Sequence, residues 1–452
     1  MKVKSFFHKK QSLAWMMFHL LMFPLLVVAQ VNKHQVALDS LRQEFQVDTD
    51  LLKNEFEEYS RKSFAEYEKY EKQTKADYLR YVQSIQKVWG GDNVCENTRS
   101  QWVEYSDNYS SRSVVDFKNG YAKVEVAVEA AEADDWHLVD RRLENAVERL
   151  LNSRGSTSPY PSSVEVTEPL TEKPVMENLI DLSSYDLGVD SVTSELPSPT
   201  VKGKNLSDNT EKKIVKEYDG AKRKVTPKVE SWSNKANQIA RKVVSSSRKL
   251  KETVVGTDGK SRQVVQVEMS LVADNLSRNA ALYKDLVAEF SQRFQVEQPL
   301  IYAIMEQESY FNPEATSWVP AFGLMQIVPK SGGRDAYLYV YKTDWLPTRS
   351  YLYNPRNNIE LGTAYLRVLM NQFASVSDSH CRRLCVIASY NTGAGNVSRS
   401  FIGTTNLSKA LAHINRYNYD ELFNHLITNL PYEETRNYVA KVTQRREKYL
   451  KQ

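Results

Sequence analysis

The sequence predicts an α+β multidomain chain, in which a long amphipathic helix and a hairpin-containing α+β domain precede an all-α C-terminal domain. Three observations predict it. Phe56, Tyr59, Tyr67, Tyr70, Tyr78, Tyr81 and Ile85 recur at gaps that are sums of threes and fours, which places them on one helical face. Two runs of alternating apolar and polar residues fold back at glycine-containing turns. Beyond Asn275 no two-residue alternation is sustained, and helical patterns follow one another across short polar or Gly/Pro breaks.

The N-terminus carries Lys2, Lys4, Lys9 and Lys10, and an apolar run from Leu13 to Ala29 without Asp, Glu, Lys or Arg follows. Val27-Val28-Ala29 then precedes Gln30, which predicts a secretory signal peptide over residues 1–29. The alternative is an uncleaved anchor, because the run approaches the length of a membrane span. No cysteine lies near that boundary, so no lipid attachment is predicted there. Residues 30–90 form the amphipathic helical region, whose aromatic stripe is read as a packing face.

Residues 91–152 begin the α+β domain. Val114 to Lys118 and the alternating Val124, Val126 and Val128 flank Asn119-Gly120, a strong hairpin signal, and a helix is expected from Trp136 to Leu151. From 153 to 212 Ser, Thr, Pro and acidic residues dominate without periodicity, which predicts a flexible linker or insertion. Residues 213–274 return to the same domain with a second hairpin, Thr253 to Val255 and Val265 to Leu271 around Asp258-Gly259. Gly259-Lys260-Ser261 is no phosphate loop, since that motif needs a glycine where Val254 stands. Residues 275–452 are the all-α domain, with helices expected over 282–294, 300–309, 359–372, 383–390 and 434–450.

A formal charge of +4 spread over 452 residues argues against nucleic acid as a partner. The cysteines are Cys95, Cys381 and Cys385, and the last two can pair only if the chain there departs from a regular helix. His380 alone does not complete a ligand set, so no metal and no cofactor are predicted.

The chemistry points to one carboxylate. Ile301, Ile304 and Met305 form the apolar stripe of the segment Leu300 to Glu308, and Glu308 is the next position on that stripe, whereas Glu306 points to the other side. Burial raises a glutamate pKa, as a general acid at neutral pH requires. A structural carboxylate paired locally is the competing reading of this segment.

The surroundings decide between them. Glu308-Ser309 precedes Gly323-Leu324-Met325-Gln326. Asn354-Pro355, Asn358-Ile359, Gly362 and Tyr365-Leu366 follow, then Ser389-Tyr390-Asn391-Thr392-Gly393, then Pro431, Glu434-Thr435 and Tyr438-Val439. In these four motifs the chain resembles the soluble lytic transglycosylase family, whose catalytic domain has a goose-lysozyme-like fold. Trp102 to Tyr105, Asp107-Asn108-Tyr109, Ser111-Arg112-Ser113 and the Phe117 hairpin are similar to the N-terminal domain of the type C membrane-bound murein transglycosylases. Those proteins are typically lipoproteins, and the sequence here lacks their lipobox cysteine. The aromatic helix and the Ser/Pro-rich stretch are read as additions to that pattern.

The resemblance implies cleavage of the bond between N-acetylmuramic acid and N-acetylglucosamine without water, giving 1,6-anhydro ends, with Glu308 as both acid and base. It also assigns Tyr390 a hydrogen bond near that glutamate, Ser317 and Gln326 contacts to the acetamido group and sugar, Asn391 a sugar contact, and Tyr438 a place in the groove. Peptidoglycan strands are the implied substrate, cell-envelope proteins are candidate partners of the N-terminal region, and the implied location is the periplasm or cell envelope. A goose-type hydrolase would need a second carboxylate, for which Glu314, Asp335 and Asp344 are the candidates. A non-catalytic peptidoglycan-binding scaffold is the other alternative.

Overall fold

The structure is a computed structural model that describes residues 28–183, 185, 232–247, 250–317 and 320–451. Residues 1–27 of the expected signal peptide and all of residues 186–231 lie outside the described residues. The chain divides into two compact units, residues 1–63 and residues 64–452.

Helix α1 (Val28–Trp89) runs through both units. In the first it carries the i,i+4 ion pairs Lys53–Glu57 and Lys62–Glu58, and Phe56 and Tyr59 of the stripe remain exposed. In the second unit the stripe is a packing face, with Ile85 and Trp89 wholly buried.

The sheet of the second unit holds β1 (Gln101–Tyr105), β2 (Ser111–Asp116), β3 (Tyr121–Glu129), β4 (Leu250–Val255) and β5 (Ser261–Ser270). All neighbours are antiparallel and the order is β1-β2-β3-β5-β4. The second hairpin thus completes the first sheet, with Val124 opposite Val267 and Val126 opposite Val265. Side chains alternate across the sheet. Val124, Val126, Val128, Val265, Val267 and Met269 face α2 (Trp136–Asn152) and α3 (Trp232–Ser246), which answer with Leu143, Val147, Ile239 and Val243. On the opposite face Ala127, Val254 and Val264 receive Ile85 and Trp89 of α1.

Residues 153–183 correct the expectation of a flexible linker. Val175, Met176, Leu179 and Ile180 join the core beneath the sheet, and Leu170 joins the core of the C-terminal domain. Asp77 of α1 accepts from Ser163 N–H at 2.8 Å, and Tyr160 stacks on Tyr81 with centroids 5.5 Å apart. The Arg349 guanidinium lies 3.9 Å from the Tyr160 ring and pairs with Glu165, whose carboxylate also accepts from Tyr70 and from Ser350 N–H. The segment is a strap that fastens α1 to the helical domain.

That domain is all-α. It comprises α4 (Asn275–Leu282), α5 (Lys284–Phe294), α6 (Gln298–Ser309), α7 (Arg334–Tyr341), α8 (Arg349–Tyr353), α9 (Pro355–Gln372) and α10 (Ser379–Thr392). It ends with α11 (Ala394–Ile402), α12 (Leu407–Ile414), α13 (Tyr419–Asn429) and α14 (Glu433–Leu450). Local signals set the boundaries. Asn354 caps α9 with Pro355 in its first turn, Asp378 caps α10, and Asn418 and Glu421 form a capping box on α13. Cys381 and Cys385 sit four residues apart on regular α10 and, like Cys95, are free thiols.

The two domains of the second unit meet through polar groups. Asn312 donates from Nδ2 to Thr98 O and Gln101 O, each at 3.1 Å. Glu314, only 1% exposed, accepts from Asn97 Nδ2 at 3.0 Å and Ser156 N–H at 2.7 Å.

Two outcomes follow from these buried charges. Glu165→Ala leaves the Arg349 cation buried without its counter-charge and is expected to cost about 3–5 kcal/mol. A lowered urea midpoint measures that loss, and adding Arg349→Met should recover part of it. Burial, reinforced by the Glu104 charge, pushes the Glu314 carboxyl up to about 8 from an ordinary value of 4.5. The folded state therefore binds more protons between those values, so this contribution to stability is full below pH 4.5 and is lost as pH rises toward 8. In Glu314→Gln the fall in urea midpoint between pH 5 and pH 8 should be shallower than in the parent, with the buried Glu104 and Glu308 carboxyls, each pushed up to about 7, contributing to what remains.

Candidate active site

Helix α6 presents Ile301, Ile304 and Met305 to the domain core, and Glu308 follows on that face with 4% exposure. Its Oε1 accepts a hydrogen bond from the Tyr438 hydroxyl at 2.6 Å. Burial pushes the Glu308 carboxyl up to about 7, against the opposing effects of the Arg99 guanidinium and the Tyr438 hydroxyl, while the Glu434 charge adds to the rise. The group thus exchanges its proton near neutrality, the property that general acid–base catalysis needs.

Glu306 adds something that the spacing does not reveal. It does face away from the stripe, but it is buried against α14, where Arg445 donates at 3.0 Å, Lys448 at 2.9 Å and the Tyr449 hydroxyl at 2.5 Å. Burial alone would raise its pKa, but those donors hold the carboxyl below the ordinary value. Glu306 is an anchor between α6 and α14.

The motif residues converge on a turn beside Glu308. Ser309 donates to Leu324 O at 2.7 Å and accepts from Phe311 N–H at 3.1 Å. Tyr310 and Phe311 both take left-handed backbone conformations (φ 51° and 64°), which end α6 abruptly and send the chain across the domain interface. Asn358 accepts from Met325 N–H at 2.7 Å and donates to Phe322 O at 2.8 Å and Leu352 O at 2.6 Å. Gly323 has φ 75°, and a Cβ there would collide with Asn358 and Leu352 O. A Cβ at Gly362 would collide with the Met325 side chain, so that glycine is what admits Met325 against α9.

The residues that the resemblance singles out take the following places in the structure. Tyr438 holds Glu308, whereas the Tyr390 hydroxyl donates to Met325 O at 2.8 Å and so secures the turn. Gln326 donates from Nε2 to Ala315 O at 2.8 Å and Gly323 O at 3.1 Å, and its Oε1 is buried without a hydrogen-bond partner among the described residues. Asn391 accepts from Thr435 Oγ1 at 2.7 Å, which joins α10 to α14. Ser317 is half-buried in the wall of a groove.

That groove has a volume of about 1540 Å³ and carries Tyr67 and Tyr78 of α1 on one wall and Ser317, Arg349 and Glu434 of the helical domain on the other. It is larger than the roughly 300–1,000 Å³ of a small-molecule pocket, and Glu308 lies outside its lining residues. Arg99 and the wall formed by α1 are features of this groove that sequence reasoning did not single out, because nothing local to Arg99 marks it. Of the candidate second carboxylates, Glu314 is engaged at the domain interface and Asp344 is paired with Arg334 at 2.6 Å.

Residues 285–412 match the family model described as Transglycosylase SLT domain, and residues 67–151 match Membrane-bound lytic murein transglycosylase C, N-terminal domain. The helical domain with its enclosed glutamate is therefore that of a lytic transglycosylase. The membrane-bound lytic murein transglycosylase C of Edwardsiella ictaluri (strain 93-146) is 30% identical over 369 residues, covering 81% of this chain and 86% of that protein. The protein of the same name from Haemophilus ducreyi is 27% identical over 369 residues, covering 81% and 84%. That from Sodalis glossinidius is 41% identical over 190 residues, covering 42% and 52%. The chain belongs to the membrane-bound lytic murein transglycosylase C family. The N-terminal match begins at residue 67, so the aromatic helix from Tyr67 onward is part of the family domain and not an addition.

Tyr438→Phe removes a hydrogen bond to a carboxylate, an interaction worth about 1.5–3 kcal/mol. Turnover of isolated sacculi should fall about 10- to 100-fold with the circular dichroism spectrum unchanged. A variant as active as the parent would show that the 2.6 Å bond contributes nothing to the reaction.

Proposed function

We propose that Glu308 is the proton-transfer group of a peptidoglycan lytic transglycosylase and that it acts without a second catalytic carboxylate. The observation that carries this reading is the enclosed, 4% exposed carboxyl with a proton affinity close to neutrality. Protonated Glu308 donates to the glycosidic oxygen between N-acetylmuramic acid and N-acetylglucosamine. The C1–O bond breaks, the leaving sugar departs as an alcohol, and the 2-acetamido oxygen of the muramic acid stabilises the charge at C1. Glu308, now a carboxylate, takes the proton of the C6 hydroxyl, and O6 closes on C1 to give the 1,6-anhydro sugar. The acid is thereby regenerated and no water is consumed.

Tyr438 orients the Glu308 carboxyl, and Tyr390 holds the turn at Met325. Ser317 on the groove wall, the unpartnered Oε1 of Gln326 and Asn391 on α10 are the proposed sugar contacts. The relatives are named membrane-bound, and no helix among the described residues is long and apolar enough to cross a membrane. The reading proposed here is an exported enzyme of the cell envelope whose N-terminal region is available to envelope proteins.

Hydrolysis is the rival outcome, and Glu434 is the carboxylate whose charge is felt at Glu308. Mass spectrometry of muropeptides released from purified sacculi separates the two, since anhydro ends lack one water relative to hydrolytic ends. Glu308→Gln keeps the shape but cannot cycle a proton, so release should fall by at least about 100-fold. Near-normal release by a folded Gln variant would remove Glu308 from this role.

A further inference from the structure

Arg99 belongs to the loop before β1, yet it lines the groove beside Glu434 and Ser317. Catalytic-domain side chains clamp that loop on both sides of it. Asn312 binds Thr98 O and Gln101 O at 3.1 Å, and Glu314 binds Asn97 Nδ2 at 3.0 Å. Asn312 and Glu314 lie in the turn leaving α6, so the clamp ties Arg99 to the helix that carries Glu308. The guanidinium Nη2 stands 3.5 Å from Glu434 Oε1, one helical turn before Tyr438.

We infer that Arg99 is a positioning residue supplied by the N-terminal domain, whose cation, set against Glu434, governs how readily Glu308 releases and regains its proton. The inference rests on Glu308 as the acid/base.

The groups acting electrostatically on Glu308 are Tyr390 from α10, Tyr438, Glu434 and Arg445 from α14, and Arg99 from the N-terminal loop. Burial keeps both tyrosine hydroxyls protonated. Arg445 is committed to Glu306 at 3.0 Å. Arg99 and Glu434 are left as an adjustable pair of opposite sign on the groove wall. When the glycosidic oxygen takes the proton, the cation offsets the carboxylate left behind, and Glu434 preserves the basicity needed for the C6 hydroxyl. Arg99 is 39% exposed, so solvent and salt keep the effect modest.

The test is the pH profile of kcat/KM on sacculi for the full chain, with Arg99→Gln, Arg99→Lys, Glu434→Gln and Glu308→Gln compared by anhydro-muropeptide release. The basic limb should move up by about half a pH unit in Arg99→Gln, because loss of the cation raises the pKa of Glu308. It should move down in Glu434→Gln and stay near the parent in Arg99→Lys. A merely structural role moves neither limb in opposite directions. Arg99→Gln coinciding with the parent, or both variants shifting the same way, overturns the inference. An active Glu308→Gln overturns the acid assignment itself, whereas an inactive one with an unmoved Arg99→Gln limb overturns only the role of Arg99.

Discussion

The helical domain is organised around keeping one carboxyl, that of Glu308, out of water, which is what the proposed proton-transfer role requires. Enclosing a single side chain to 4% exposure takes walls from distant parts of the chain. The Tyr438 hydroxyl comes from α14, the Met325 turn from the segment between α6 and α7, and the Tyr390 hydroxyl from α10. A carboxylate desolvated this far would ordinarily destabilise the fold. The compensation is local, in that the group can remain protonated and its one strong donor bond survives either protonation state.

The motifs that mark the sequence make sense as parts of that enclosure. The Ser of Glu-Ser ties the end of α6 to Leu324 O, and the Asn of Asn-Ile binds Met325 N–H, Phe322 O and Leu352 O with one amide. A side-chain amide that satisfies three buried backbone groups is costly to replace, since each orphaned group would lose its partner. Gly323 and Gly362 remove the two Cβ atoms that would block this arrangement. Thr435 of the last motif reaches Asn391 of the preceding one, so the third and fourth motifs are in direct contact. Only Glu308 is proposed to transfer a proton; most of the remaining motif residues hold the turn or one another.

The helices, both hairpins and the apolar stripe leading to Glu308 were legible because period and turn chemistry are local signals. The surroundings of Glu306 were not. Its partners Arg445, Lys448 and Tyr449 stand more than a hundred positions away, and one helix's periodicity cannot say what covers its other face. The strap over residues 153–183 was misread for a different reason. Ser, Thr and Pro are the composition of a linker, but here Ser163 binds Asp77 and Glu165 binds Arg349, bonds that exist only after the chain has folded back on α1. The division of labour between Tyr390 and Tyr438 likewise depended on which hydroxyl tertiary packing directs at the carboxylate.

The strap and the clamp together explain why the α+β domain and the helical domain form one compact unit. Leu170, from the strap, completes the helical core, and Asn312 and Glu314, from the catalytic side, complete the loop that carries Arg99. Each domain therefore contains groups whose partners belong to the other. Glu314 gives the arrangement its sign. Burial and the Glu104 charge favour the protonated carboxyl, whereas the Asn97 and Ser156 donors favour the carboxylate, so ionisation costs the docked state through desolvation and not through loss of these bonds. Domain docking and the electrostatics of Glu308 are thus linked through a few side chains, and the wall of α1 tyrosines lies along the groove that this docking forms.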